Sequence, residues 1–450
     1  MDNLLYLDGN LYKNLMISGA TNLEKNRIVV NNLNVFPIPD GDTGDNMSMT
    51  IGHGISEVSG FSDNNIGIMS KKISRGMLFG ARGNSGVILS QIFRGVSDYL
   101  KDKEKANAID LANAFISGTE KAYKMVVNPV EGTILTVVRK ASNKAKSIVN
   151  DSTTIKEFFK VFLDEANITL KDTINMMECL KKANVIDSGG AGLVYIIEGM
   201  LKYFDSNINL GDYILDYKFE RDKYVASLNS EMKDFAIVSV CNGDGLRDLF
   251  INAGADYIID GGQTMNPSTE DFLRAFDLVN AKTIIVLPNN SNIILSAKQA
   301  KDIYDKSNVE IVESKTICEG LSAMAMANYD DPDFIGSMKE AVANVITGEV
   351  TYSIRDAVID DVEIKKDDFI AIVDKKIVAK STNKSDCLKE LINYEISKNN
   401  KEMINVIYGK DVLEKDIEDT CNDIINNNKY VEVNYVSGAQ DVYSFIVAFE

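Results

Sequence analysis

The chain has 450 residues, with 66 acidic and 48 basic side chains and a net charge of −18. That length allows two or three domains, each with an ample core. The acidic excess argues against nucleic acid as a partner, since nucleic-acid binding relies on Lys and Arg to neutralise phosphates, and against stable docking on anionic lipid. The sequence has neither an apolar run of signal-peptide shape nor an uncharged stretch of 18 residues, so we expect a cytoplasmic protein without stable membrane insertion.

The first motif that carries chemistry lies at residues 39–46, Pro-Asp-Gly-Asp-Thr-Gly-Asp-Asn, where three carboxylates fall within six residues. Magnesium takes oxygen ligands, usually one or two carboxylates together with phosphate oxygens. Gly41 and Gly44 allow the tight turns that would point Asp40 and Asp42 at one ion, because glycine accepts positive φ. The alternative is an acidic surface turn, since Asp-Gly dipeptides are ordinary turn formers.

Three further glycine-bearing loops stand before apolar helical patterns, at residues 80–86, 130–136 and 186–192. A helix N-terminus attracts phosphate through its unpaired N–H groups and its macrodipole. None of the loops is a Walker motif, because no Gly-Lys-Ser/Thr follows the glycines. Each loop by itself is equally explained by close helix packing. Together with residues 39–46, however, they predict one shared phosphate site in a helical first half.

The second half of the chain changes from helical to strand periodicity. Strands are predicted at 236–240, 257–259, 283–287 and 310–312, separated by helices at 246–253, 269–279 and 293–304. This alternation is typical of βαβ units and a parallel sheet. Further strands are predicted at 369–373, 376–378, 404–408, 431–435 and 442–449, with helices at 387–398 and 413–426.

Polar loops follow the first three predicted strands, at 241–245, 260–266 and 288–291. The carboxyl ends of parallel strands meet at one edge of a sheet, so we expect these loops to share a crevice. Their role is open between recognition of a partner, binding of an undefined small ligand, and simple helix capping. The five cysteines are scattered without a Cys-x-x-Cys spacing, which predicts reduced thiols.

Residues 34–44, Asn-Val-Phe-Pro-Ile-Pro-Asp-Gly-Asp-Thr-Gly, together with 80–86 and 187–190, resemble the nucleotide-binding domain of the dihydroxyacetone kinase L-subunit superfamily. The Phe-Pro-x-Pro spelling resembles the bacterial fatty acid kinase catalytic subunit, and 261–271 with 287–290 resemble its DegV-like C-terminal domain. The resemblance implies a multi-domain α and α/β protein. Its parts would be an all-α helical barrel at 1–203, a linker at 204–233, and a C-terminal α/β domain with a parallel sheet at 234–450.

The same resemblance implies an ATP- and Mg²⁺-dependent kinase that phosphorylates the carboxylate of a fatty acid presented by a DegV-type binding protein, giving acyl phosphate. Asp40 and Asp42 would be the catalytic metal ligands. Asn34 stands nearest to the position of a third metal aspartate, and Asp45 is either a further metal ligand or a helix N-cap. The residues implied to contact ATP are Thr43, Asn46, Gly83, Asn84, Ser85, Gly86, Thr133, Asp187 and Gly189.

The chain departs from this family between its two halves. Catalytic subunits of fatty acid kinases usually carry a central domain with a zinc site of cysteine and paired histidines, whereas this chain has His53 alone. We therefore expect the central domain to be missing and no zinc to be bound. Two other functions stay open, a dihydroxyacetone-type small-molecule kinase and a nucleotide-binding regulatory protein without turnover. The oligomeric state is open as well, with a homodimer among the alternatives.

Overall fold

The computed structural model describes residues 3–34, 41–205, 232–262, 265–353, 356–359, 362–399, 402–428 and 430–449. The chain forms two compact units, Met1–Tyr224 with Ser268–Glu270, and Val225–Pro267 with Asp271–Glu450. The predicted linker, 204–233, lies almost wholly outside the described residues. The predicted fold class, a helical first part followed by an α/β part, is confirmed.

The described residues of the first part, up to Asp205, form ten α-helices. They are α1 (Gly9–Lys25), α2 (Arg27–Leu33), α3 (Thr43–Ser56), α4 (Ile66–Phe79), α5 (Gly83–Leu100), α6 (Ala108–Met125), α7 (Ile134–Ile148), α8 (Ile155–Met176), α9 (Glu178–Ala183) and α10 (Ser188–Asp205). No helix in the part of the chain that the structure describes is long and apolar enough to cross a membrane.

Capping explains where the helices begin, as α8 illustrates. Thr154 Oγ1 accepts the Glu157 N–H at 3.2 Å, and Glu157 Oε2 accepts the Thr154 N–H at 2.8 Å, which is a capping box. From there the apolar residues recur on one face, where Phe158 and Phe162 are fully buried. The predicted apolar face of this helix is therefore the face that packs into the core.

The helices pack pairwise into a closed ring, in the order α1, α4, α5, α6, α7, α8, α10 and back to α1, and α3 packs against α1, α4, α5 and α10. Aromatic rings fill the interior: Phe115 lies 4.8 Å from Phe162 and 6.4 Å from Phe93 between ring centroids. Such pairs add to the stabilisation from burial itself. The ring is therefore a packed core rather than a channel.

The ring closes where α1 meets α10 at two glycines. A Cβ on Gly19 would stand 2.8 Å from Ile196 O, and one on Gly199 would stand 2.6 Å from Ser18 O. Ser18 Oγ donates to Gly199 O at 2.7 Å across the same contact. Because side chains are absent at both positions, the two backbones approach closely enough for this hydrogen bond.

From Lys233 onward the described chain contains twelve strands and seven helices. The strands are β1 (Lys233–Cys241), β2 (Tyr257–Asp260), β3 (Ala281–Leu287), β4 (Asn308–Ile311), β5 (Ile346–Tyr352), β6 (Ala357–Ile359), β7 (Val362–Ile364), β8 (Phe369–Val373), β9 (Lys376–Ser381), β10 (Met403–Tyr408), β11 (Glu432–Ser437) and β12 (Tyr443–Phe449). The helices are α11 (Asp244–Asn252), α12 (Thr269–Val279), α13 (Ile294–Ile303), α14 (Ile317–Ala325), α15 (Phe334–Asn344), α16 (Lys384–Asn399) and α17 (Glu414–Asn427).

These strands form two larger sheets and a hairpin. The first sheet is parallel, in the order β2-β1-β3-β4, as the βαβ alternation predicts. The second is mixed, in the order β11-β10-β12-β5-β8-β9, with only β10 and β11 parallel. Strand β5, which is central in this second sheet, was not predicted from the sequence, nor were α14 and α15. All five cysteines are free thiols, as predicted.

Candidate functional site

The N-terminal turns of α5, α3 and α10 lie side by side in the first unit. A Cβ on Gly86, in the first turn of α5, would stand 3.2 Å from Asn46 O, in the first turn of α3, and 2.3 Å from Thr50 Oγ1, one turn further along that helix. Ser188, the first residue of α10, donates its hydroxyl to Thr43 Oγ1, on the first residue of α3, at 3.2 Å. Three of the predicted glycine-bearing helix starts therefore meet at one end of the unit.

Asp187 brings the start of α7 to the same place. Its Oδ2 accepts the Gly190 N–H at 2.6 Å, and its carboxylate also accepts the backbone N–H of Ile134, the first residue of α7. Burial raises the pKa of Asp187 to about 6, although both N–H groups act to lower it. One carboxylate thus holds two helix starts together, and the four predicted loops are neighbours.

Of the acidic motif at residues 39–46, the structure describes Gly41 onward. Asp40 and residues 35–39 lie outside the described residues. Gly41 has φ +57°, the left-handed conformation predicted for a tight turn at this glycine. Asp42 is the N-cap residue of α3, but its side chain makes no capping hydrogen bond to that helix. Its carboxylate is therefore not committed to capping α3.

Asn31, which was not among the predicted site residues, does the capping instead. Its Oδ1 accepts the N–H groups of Gly44 at 2.7 Å and of Asp45 at 3.2 Å, and its Nδ2 donates to Asp45 Oδ2 at 2.8 Å. Arg27 forms an ion pair with the same carboxylate. Asp45 is therefore not the N-cap that was one of its predicted roles. It lies in the first turn of α3, held by two residues of α2.

Gly44 has a different role from the one predicted. It lies within α3 rather than at a left-handed turn, so positive φ is not the reason for glycine here. A Cβ at Gly44 would stand 2.3 Å from Arg27 O and 2.8 Å from Asn31 Oδ1. The missing side chain permits the close approach of α2 on which the capping by Asn31 depends.

This contact predicts that Gly44→Ala destabilises the protein by about 1–3 kcal/mol, as expected when a methyl group is forced against backbone. Gly189→Ala is the matched control, because Gly189 also lies in the first turn of a helix but a Cβ there meets Ile134 Cβ only at 3.4 Å. Chemical denaturation of both variants measures the difference. Equal stability of the two variants would contradict the role given to Gly44.

The other predicted site residues lie at or near these helix starts. Gly83, Asn84, Ser85 and Gly86 form the first turn of α5, with Arg82 as its N-cap, rather than a free loop. Thr43 and Asn46 are buried in α3, and Gly189 is buried in α10. Thr133 is the N-cap of α7, but its hydroxyl donates to Val130 O at 2.9 Å. Asn34 is the C-cap of α2.

A polar network that was not predicted from the sequence fixes the loop before α7. Glu131 Oε2 accepts from Arg139 Nη2 at 2.5 Å and from Thr136 Oγ1 at 2.7 Å, and Tyr123 OH donates to Glu131 Oε1 at 2.9 Å. Burial opposes ionisation, but these donors and the Arg139 charge together lower the pKa of Glu131. The sequence signal for this ion pair was the pairing of opposite charges around the start of α7, with Glu131 three residues before the helix and Arg139 in its second turn.

The described residues contain no group of three or more His, Cys, Asp and Glu side chains placed to hold a metal ion. Of the two carboxylates predicted from the sequence as the main metal ligands, only Asp42 belongs to that part of the chain. It stands at the start of α3, next to Thr43, which contacts α10.

Two family models match the chain in succession. The DAK2 domain model matches residues 37–202, and the model of the C-terminal region of FakA-like fatty acid kinase proteins matches residues 236–450. Between them lie only residues 203–235. The matches follow the division seen in the structure, a helical part followed by an α/β part.

Among curated proteins, YloV of Bacillus subtilis is 33% identical over 550 residues, covering 99% of both chains. SAB1090 of Staphylococcus aureus is 32% identical over 546 residues, again covering 99% of both. The Streptococcus pneumoniae fatty acid kinase B3 protein loaded with linoleic acid is a solved structure that covers 49% of this chain and 99% of its own. Its sequence identity is 10% and its TM-score 0.34, too low to carry an argument.

The alignment with YloV is 100 residues longer than this chain, 550 against 450. YloV therefore contains about that many residues without a counterpart here. The two consecutive family models, and the identity to YloV over nearly the full length of both proteins, show that this chain belongs to the FakA-like family of fatty acid kinase proteins.

Proposed function

We propose that the protein is an ATP- and Mg²⁺-dependent kinase that transfers the γ-phosphoryl group to the carboxylate of a fatty acid presented by a DegV-type binding protein. The observation that carries the proposal is the meeting of four helix N-terminal turns beside Asp42 in the first unit. Family membership supports the same reaction class.

The helix starts supply what a triphosphate requires. Each N-terminal turn presents backbone N–H groups and the positive end of a helix dipole. An anion that lies among several such turns is stabilised by each of them. Gly86 permits the close approach of α5 to α3, because a Cβ there would stand 2.3 Å from Thr50 Oγ1 and 3.2 Å from Asn46 O, and this packing keeps the two helix starts beside each other. The buried carboxyl of Asp187 anchors α7 and α10 from the protein side.

The donor set near α3 fits magnesium rather than a soft metal. Asp42 offers hard carboxylate oxygens at the mouth of the site, and Asp40, two residues earlier in the sequence, offers another. Magnesium is usually held by one or two carboxylates with the remaining positions filled by phosphate oxygens and water. When bound, the metal neutralises charge on the transferring phosphoryl group.

The reaction needs positioning more than covalent chemistry from the protein. A carboxylate oxygen of the fatty acid forms a bond to the γ-phosphorus, the bond from that phosphorus to the β-bridging oxygen breaks, and ADP leaves with the electron pair. No proton has to be removed from the attacking carboxylate. Fixed donors at the helix starts hold the phosphates in line, which is where phosphoryl transfer gains most of its rate.

A separate carrier is consistent with the packing of the first unit. The interior of its helical ring is filled by buried side chains such as Phe93, Phe158 and Phe162. These side chains occupy the space that a bound acyl chain would need. A long acyl chain in contact with water loses about 0.8 kcal/mol per exposed CH₂ relative to burial. We therefore propose that the binding protein buries the acyl chain and that only the carboxylate of the fatty acid enters this site.

The direct test is radiolabelled ATP with the purified full-length protein and three acceptors in parallel. These are a fatty-acid-loaded DegV-type protein, dihydroxyacetone and buffer alone. We expect label in acyl phosphate, trapped with hydroxylamine as the hydroxamate, only with the first acceptor. Label in dihydroxyacetone would replace the proposal with a small-molecule kinase. Tight ATP binding without transfer to either acceptor would favour a regulatory protein.

A further prediction concerns zinc. The paired histidines of the usual zinc site are missing, since His53 is the single histidine of the chain. We expect elemental analysis of the purified protein to find no stoichiometric zinc. The melting temperature should also stay unchanged in a chelator that spares magnesium, because a structural zinc would contribute directly to folding. One tightly bound zinc per chain would overturn this prediction.

A further inference from the structure

A cavity of about 50 Å³ lies between the two larger sheets of the second unit. One side is lined by residues that follow β1, β2 and β3, among them Asn242, Gly262 and Asn290, so the three predicted polar loops do share a crevice. The other side includes Glu349 of β5 and Ile446 of β12, which are paired in register. One water molecule needs only about 10–15 Å³ of such space, so the cavity has room for a small ligand.

Glu349 lines this cavity, and among the described residues no cation is found to act on the pKa of its carboxyl group. The side chains that shift its pKa are Tyr443, which hydrogen-bonds to it, and Glu319, whose negative charge opposes its ionisation. Burial has the larger effect and raises the pKa of Glu349 to about 7. A buried carboxylate is stabilised by a positively charged donor, and none of the groups acting on Glu349 is one.

Gln440 places a second acceptor in the cavity wall. Its Nε2 donates to Ile407 O at 3.2 Å and to Tyr443 O at 3.1 Å, which fixes the orientation of the amide. Its Oε1 is buried and accepts no hydrogen bond from the residues that the structure describes. Gln440 and Glu349 both line the cavity, and each contacts Tyr443, Gln440 through the backbone carbonyl of that residue and Glu349 through its side chain.

Two other polar groups of the cavity have partners within the protein. Asn289 donates to Ser239 Oγ and Val240 O and accepts from Ser314 Oγ. Its amide is therefore engaged within the protein and forms part of the cavity wall. Asp441 is paired with Lys410. The rest of the lining is largely apolar and includes Val240, Leu246, Ile293, Ile317, Val442 and Ile446.

We propose that this cavity binds a small primary amine with a short alkyl group, its ammonium donating to Glu349 and Gln440 and its alkyl part contacting the apolar wall. An ammonium group offers three donors and no acceptor, which complements a carboxyl group that has no cation acting on it and an amide oxygen that accepts no hydrogen bond from the described residues. A carboxylate ligand would meet Glu349 with like charge. The site is thus distinct in chemistry from one for a fatty acid head group, and it stands independently of the kinase proposal.

The test uses the full-length protein with methyl-labelled isoleucine and n-butylamine as the probe. The solution is kept slightly alkaline, above the pKa of about 7 of Glu349, so that both partners are charged. NMR shifts of Ile293, Ile317 and Ile446 methyl groups report on binding at the cavity. 1-Butanol and butyrate are run in parallel as neutral and anionic probes of the same length.

Three variants accompany the wild type. Glu349→Gln removes the charge at nearly constant shape, and Gly262→Leu fills the cavity at a position where a Cβ would meet only Asn242 Cβ, at 3.4 Å. Glu418→Gln, on the exposed face of α17, is the matched control. Circular dichroism of each variant establishes that it is folded.

We expect n-butylamine to shift the three methyl groups in the wild type and in Glu418→Gln. Its affinity should fall about tenfold or more in Glu349→Gln, as on loss of a charge-assisted hydrogen bond, and binding should be lost in Gly262→Leu. Butanol should bind more weakly and butyrate not at all. Butyrate binding as tightly as butylamine, or unchanged butylamine binding in Glu349→Gln, would overturn the proposal.

Discussion

Replacing Asp42 with alanine is expected to abolish phosphoryl transfer and leave the protein folded. The side chain does not cap α3, so its loss removes no N-cap hydrogen bond from that helix. Loss of a metal-bridged stabilisation should instead raise the barrier by several kcal/mol, which corresponds to a rate lower by about a thousandfold or more. We expect the same of Asp40→Ala, at a position outside the described residues.

The measurement is acyl phosphate formation at saturating magnesium, with the melting temperature recorded for each variant. Asp102→Ala is the control, because Asp102 is exposed and its ion-pair partner Lys101 stands 3.9 Å away. We expect this variant to keep wild-type activity. If Asp42→Ala or Asp40→Ala turned over at the wild-type rate, the assignment of these aspartates to the metal site would be wrong.

A chain ending at Asp205, the end of α10, is expected to bind ATP normally but to lose carrier-dependent acyl phosphate formation. The apolar core of the helical part runs from Leu7 to Phe204, so the truncated chain keeps that core, although it loses Ser268–Glu270, which belong to the first unit and contact Ala81 and Arg82. The carrier, by contrast, needs a docking surface. We assign that surface to the α/β part, with residues 261–271 and 288–291 as its predicted edge, because we expect the chain to lack the family's central domain.

Nucleotide binding by calorimetry and trapping of the acyl hydroxamate separate the two effects. Adding the remaining chain, from residue 234 onward, as a separate protein tests whether the loss comes from docking. Acyl phosphate formation by the truncated chain at the full-length rate would exclude the α/β part as the docking element. Phosphorylation of dihydroxyacetone by the truncated chain would instead point to a small-molecule kinase.

Most of the fold was accessible from the sequence because local signals agreed with the packing. α12 begins and ends at the predicted residues, since Thr269 opens a clear apolar periodicity. β5 was missed for a physical reason: its Thr-Gly-Glu segment breaks the apolar pattern, and it becomes a strand only because β12 and β8 flank it. Tertiary pairing there outweighs weak local propensity.

The candidate site was predictable where it depends on local sequence and was missed where it depends on contacts across the chain. The turn at Gly41 and the four glycine-bearing helix starts follow from spacing. The capping by Asn31 does not, because its partners Gly44 and Asp45 belong to a different helix, 13 and 14 residues further along the chain. For the cavity between the two larger sheets, the sequence predicted the loops that line one side. It did not predict Glu349, which lies in the missed strand β5.

The closure of the ring by α1 and α10 has a consequence for the synthesis of the protein. α1 ends at Lys25 and its partner begins at Ser188, so the ribosome adds more than 160 residues between the two. At about 5–20 residues per second this takes roughly 8–30 s. During that interval the face of α1 that includes Gly19 and Leu23, which contacts α10 in the finished fold, is without this partner. The ring can therefore close only after the whole helical part has been made, and this face of α1 must stay available until α10 emerges.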